Sequence, residues 1–117
     1  MIQEIIDHVL AALKAAGIPA TADVRNISAP GCFVTVTKIL ADVALSGSYT
    51  AEGSITCVVK DLGGLQDIKN LSALADKVIP ALRAANVWVK SVDTNHQATP
   101  PTGGTLPAIR INYEVAL

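Results

Sequence analysis

The sequence predicts an α+β domain: an antiparallel or mixed β-sheet of five to six strands with two helices packed on one face. Three observations predict it. Apolar residues recur at helical spacing near the N-terminus and again before Asn86. Between these segments and after them the apolar period falls to two. Glycine and proline stand where one period gives way to the other. With 117 residues the chain has room for one domain, 1–117, and one core.

The elements follow in order. Ile2, Ile5, Ile6, Val9 and Leu13 line one side of a first helix, with Gln3, Glu4, Asp7, His8 and Lys14 on the other. Gly17 and Pro19 end it. Ala20–Ile27 is a weak strand, and Ser28-Ala29-Pro30-Gly31 a turn. Cys32–Leu40 reads as a strand with Cys32, Val34 and Val36 on one face and Phe33, Thr35, Thr37 and Ile39 on the other. Val43–Tyr49 fits neither period. A turn near Thr50–Gly53 leads to a strand over Ser54–Lys60, where Ile55, Cys57 and Val59 alternate with Thr56 and Val58.

Asp61-Leu62-Gly63-Gly64 breaks the sheet. Ile68, Leu71, Leu74, Ala75, Val78, Ile79 and Leu82 then share one face of a second helix. Pro80 lies inside this helix but on its polar side with Lys69 and Asp76, which predicts a helix bowed over the sheet and ending near Asn86. Val87–Val92 is a short strand with Val87 and Val89 opposed to Trp88. Asp93–Thr105 is rich in polar residues, proline and glycine and reads as a long loop. Leu106–Val115 is the clearest strand, with Ile109, Ile111, Tyr113 and Val115 alternating with Arg110, Asn112 and Glu114.

Composition points to association. Half of the residues are hydrophobic and only 16% charged, against about 25% in ordinary globular domains. A small domain with so few charges is either poorly soluble or covers part of its surface with other subunits, and the second is the expectation. The net charge of −1 and the absence of any lysine or arginine run argue against a nucleic-acid grip. Phe33, Tyr49, Trp88 and Tyr113 are too few and scattered for base stacking. Glu4 and Asp7 stand where a secretion signal would be basic, and no apolar run approaches the ~20 residues of a membrane span. The expectation is a cytoplasmic chain with no membrane partner.

No catalytic constellation emerges. Cys32 and Cys57 lie in apolar, β-branched stretches and read as buried free thiols, a disulfide being the alternative in an oxidising compartment. His8 and His96 read as solvated residues, and two histidines alone make no zinc site. Gly63-Gly64 reads as a turn rather than a phosphate cradle, since no GxxxxGK[ST] or GxGxxG accompanies it and Asp61 would repel an anion. Asp61, Asp67 and Asp76 are spread along loop and helix, Asp67 being placed to cap the helix. The chain is therefore expected not to be an enzyme and to hold no metal or cofactor. Its uncommitted stretches, about Ala41–Gly53 and Asp93–Thr105, are the candidate assembly interface, with Tyr49, Thr50, Glu52, His96, Pro100, Pro101, Gly103 and Gly104 as its residues.

Several short motifs, in order, carry a resemblance. They are the opening Met1-Ile2-Gln3, the break at Gly17–Pro19, and Val58-Val59-Lys60-Asp61 with Gly63-Gly64 ahead of the second helix. A proline- and glycine-rich loop then precedes Leu106-Pro107-Ala108-Ile109-Arg110-Ile111. Over essentially its whole length the chain resembles the tail terminator proteins of long-tailed bacteriophages. Many members carry an aromatic where Ile109 stands here.

The resemblance implies a structural virion protein, six copies of which form a ring. That ring would cap the tail tube, stop its polymerisation and provide the head–tail joint. The partners implied are further copies of the chain, the major tail tube protein and the connector or neck proteins. DNA would pass through the lumen without specific binding. The place implied is the tail–neck junction of the virion, with assembly in the host cytoplasm. Another neck or head–tail joining protein is the neighbouring alternative. A small oligomeric enzyme or ligand-binding module, with a shared pocket of His96, Arg110 and Asp61, is the alternative from a different class.

Overall fold

The computed structural model of the chain describes residues 2–23, 25, 27–41, 49–99 and 104–116. The order of elements is α1 (Ile2–Ala15), β1 (Ala20–Thr21), β2 (Gly31–Ala41), β3 (Tyr49–Val58), α2 (Gly64–Ala84), β4 (Trp88–Ala98) and β5 (Leu106–Ala116). The strands form one five-stranded sheet in the order β1-β2-β3-β5-β4. Only the short β1 runs parallel to its neighbour; the other pairs are antiparallel. This is the predicted α+β class with a mixed sheet.

Both helices pack on the same face. Ile5, Val9 and Leu13 of α1 and Leu71, Leu74, Val78 and Leu82 of α2 are buried in one cluster with Val34, Ile55, Ile109, Ile111 and Tyr113 of the sheet. Burying these apolar faces is what holds the layers together, at about 25 cal/mol per Å². The opposite face of the sheet is polar: Thr35 Oγ1 and Ser54 Oγ lie 2.9 Å apart, and Asn112 Nδ2 donates to Ser91 Oγ at 2.9 Å and to Asp93 Oδ2 at 3.2 Å. Antiparallel sheets tolerate such a solvated face.

Local chemistry explains the element ends. Gly17 takes the left-handed φ of 73° that closes α1, and its N–H bonds Lys14 O. At the end of α2 the same role falls to Asn86, at φ 60°, with Asn86 N–H on Arg83 O and Val87 N–H on Leu82 O. Asp67 reaches back from the first turn of α2 to accept from Leu62 N at 2.8 Å and Gly63 N at 3.2 Å, the capping role expected of it. Pro80 is exposed within α2, on the polar side as predicted.

The structure corrects several boundaries. The weak strand expected over Ala20–Ile27 is confined to Ala20–Thr21, too short to depend on side-chain pattern. Thr50–Gly53 is not a turn but part of β3, paired with Val36 and Lys38–Leu40 on one side and Tyr113–Ala116 on the other. Asp93–Ala98, expected to open a long loop, belongs to β4 instead, because β5 offers it a backbone ladder whatever the polarity of its side chains. Ile39, expected opposite Val36, packs on the same core, because a bulge between Val36 and Lys38 shifts the register. Ile68, expected in the core, is 64% exposed near the start of α2. The undecided stretch between Val43 and Tyr49 lies outside the described residues except for Tyr49, which opens β3.

Gly53 shows why a glycine stands mid-strand. The ring of Tyr113 lies across it, and a Cβ there would sit 2.7 Å from Tyr113 Cζ. The Tyr113 hydroxyl donates to Thr35 O at 2.8 Å, so one residue of β5 bridges β3 to reach β2. Burial pushes the Tyr113 pKa up to about 12 from the ordinary 10.0. The fold holds the neutral phenol, so this contribution is complete below pH 10 and disappears as pH rises through about 12. Denaturant titrations should therefore show a stability loss of about 2 kcal/mol over that window. Tyr113→Phe should remove that loss and cost roughly 1 kcal/mol at neutral pH. An identical alkaline profile in the variant would exclude Tyr113 as the titrating group.

Candidate functional site

The candidate interface residues do not form one cluster. Tyr49 pairs with Ala41, Thr50 with Leu40 and Ala116, and Glu52 with Lys38 and Glu114, all at one end of the sheet. His96 pairs with Ala108, which in turn faces Val58, near the other end. Six residues of β3 separate the two rows, about 20 Å at the rise of a strand. Gly104 is exposed just ahead of β5, at the end where His96 lies. Pro100, Pro101 and Gly103 lie outside the described residues. The hairpin ends that flank the two uncommitted stretches thus point in opposite directions along the strands, Ala41 and Tyr49 one way, Ala98 and Leu106 the other.

A charged row crosses the first end. Lys90 Nζ lies 2.6 Å from Glu52 Oε1, spanning β5 from β4 to β3. The hydrogen bond from Lys90 holds the Glu52 carboxyl below the usual carboxylate range, and the same bond raises the lysine. Both groups are exposed enough that this pair contributes little to stability. Trp88 stands beside this row, paired with Glu114, and is 74% exposed. The alternation Val87-Trp88-Val89 already placed it outward. The sequence reading missed Leu62 and Leu65 and placed Ile68 in the core; all three are exposed, by 64%, 66% and 64%, just before and within the first turns of α2. Only the width of the apolar stripe, broader than the two-layer packing can cover, signals them.

The residues examined for chemistry have structural duties. Cys32 and Cys57 face one another across β2 and β3 as buried free thiols, with Cys32 Sγ donating to Cys57 Sγ at 3.4 Å. That contact and burial push the Cys57 thiol well above its ordinary range, so it is no ready nucleophile. His8, expected to be solvated, is half-buried instead: its Nε2 lies 2.8 Å from Ala85 O and donates to it, tying α1 to the end of α2. Asp61 Oδ1 accepts from Gly63 N at 3.2 Å, so the Gly63 amide serves the turn rather than an anion. Arg110 sits mid-strand opposite Thr56 and Asp93, about four residues of β5 from the end where the first row lies. Among the described residues no group of three or more histidine, cysteine, aspartate or glutamate side chains is placed to hold a metal ion. No described helix is long and apolar enough to cross a membrane.

What the surface offers, then, is contact area: two hairpin ends at opposite poles, an exposed tryptophan, and an apolar strip on α2. No protein-family model matches the chain, and no curated protein matches it in sequence.

Proposed function

We propose that this chain is a ring-forming subunit that caps the end of a bacteriophage tail tube, stops the addition of tube subunits and joins the tube to the head connector. The observation that carries the reading is the opposition of the two hairpin ends, set about a sheet length apart. A subunit seated between a tube and a connector needs two such poles, and loops on a rigid sheet are where contacts of this kind are made. The order of motifs shared with tail terminators, the low charge and the exposed apolar residues support the same reading. In this role the chain is a structural protein of the virion, works without a cofactor, and lets DNA pass without gripping it.

The test uses the purified full chain, alone and mixed with tail tubes assembled in its absence. Mass photometry and negative-stain images should show particles near six times 12.1 kDa, or rings seated on tube ends. Tube length should stop growing once the chain is added. A stable monomer that neither binds tubes nor halts their growth would overturn the proposal.

A further inference from the structure

Between α2 and β4 runs a groove of about 240 Å³ on the helix side of the sheet. It is lined by Ile68, Leu71, Ala75, Val92 and Ile109 together with the exposed hydroxyl residues Ser72 and Thr94, and no charged residue is among its lining. Leu65, one turn before Ile68, extends the apolar surface beyond the mouth. The volume is below the ~300–1,000 Å³ of small-molecule sites. It exceeds the ~150 Å³ that accommodates a benzene ring. The groove is thus sized for one aromatic side chain, and its lack of charge disfavours an ionic one.

Trp88 is the most exposed large hydrophobic residue among those described, and the chain has no other tryptophan. It opens β4 just past the end of α2, about 13 Å along the strand from Val92 of the groove. Side by side with the groove, its chemistry is complementary. An indole offers a large apolar face and one N–H donor. The groove offers apolar lining and the exposed hydroxyls of Ser72 and Thr94, which can accept.

We propose that Trp88 of one copy seats in the α2–β4 groove of the next, so that copies join head to tail. Trp88 pairs with Glu114 on the open face of the sheet while the groove lies on the helix face, so a copy that fills its neighbour's groove leaves its own open for another. Contacts of this kind close into a ring when the rotation permits. The proposal rests on the ring reading only for the number of copies; the contact itself requires no tail.

The single tryptophan reports directly. As the full chain assembles, with or without tubes, Trp88 emission should move to the blue. Trp88→Ala and Ser72→Glu should each weaken self-association at least about thirtyfold, the 2 kcal/mol of an aromatic hot spot at 1.4 kcal/mol per tenfold. Both sites are exposed, so far-UV spectra and melting curves should match the parent's. Each variant keeps one half of the contact. Mixed together, the two should therefore form a discrete pair and no larger species.

Assembly of Trp88→Ala at the parent's affinity would overturn the contact. So would rings in which the emission stays that of a solvated indole, while the ring reading would stand. A parent chain that stays monomeric with unshifted emission at the highest concentration would also overturn it. Blue-shifted assembly that never engages a tail tube would keep the contact and remove the tail role.

Discussion

Gly53→Ala is expected to destabilise the domain by about 3 kcal/mol, at the upper end of what overpacking usually costs. The added Cβ has nowhere to go: Tyr113 Oη would be 2.5 Å from it and Tyr113 Cζ 2.7 Å, with the Thr35 carbonyl nearer still. Either Tyr113 leaves its place, breaking its bond to Thr35 and exposing a side chain that is now fully buried, or β2 and β3 separate. In a domain of this size the melting temperature should fall by roughly 10 °C or more. A double-mutant cycle with Tyr113→Leu isolates the cause, because the alanine should cost much less once the ring is gone. If Gly53→Ala cost under about 1 kcal/mol, or its cost did not change in the Tyr113→Leu background, the close packing described here would be wrong.

Ile111→Ala is expected to cost about 3–5 kcal/mol. Ile111 is fully buried at the middle of β5, with Ile55 beside it on β3 and Val92 on β4. Truncation there leaves a void that rigid neighbours on both sides cannot collapse to fill. The adjacent Asn112 gives the contrast, since it lies on the open face and bonds only exposed partners. Equilibrium denaturation should therefore separate Ile111→Ala from Asn112→Ala by several kcal/mol. Equal, small losses would mean that β5 is turned over.

The sequence carried the layers well and the lengths of the polar strands badly. Period-two alternation from Ile109 to Val115 and helical spacing in α1 are direct records of which atoms face the core, and both match the structure except at Ile2, exposed at the start of α1. Asp93–Ala98 carries no such record. It pairs through its backbone, has solvent on one side, and is interrupted by irregular register near Lys90 and between Asp93 and His96. Gly53 misled for a different reason. A glycine read as a turn signal is there to let a residue sixty positions on lie flat against the strand. At the candidate site, the outward Trp88 was legible from its neighbours. The groove that we assign to it was not, because it is made by α2 and β4 together. The pairing of Lys90 with Glu52 likewise requires knowing that only β5 separates their strands.

The strand order has a consequence for synthesis. β5, which leaves the ribosome after the other described elements, is not at the margin of the sheet but between β3 and β4. Until it emerges, β3 has one partner, β4 has none, and α2 has little to pack on. The sheet is therefore completed only after β5 is available, by inserting one strand between β3 and β4. The nascent chain meanwhile carries unpaired strand edges on β3 and β4, which are the features that hold-type chaperones and misassembly both recognise.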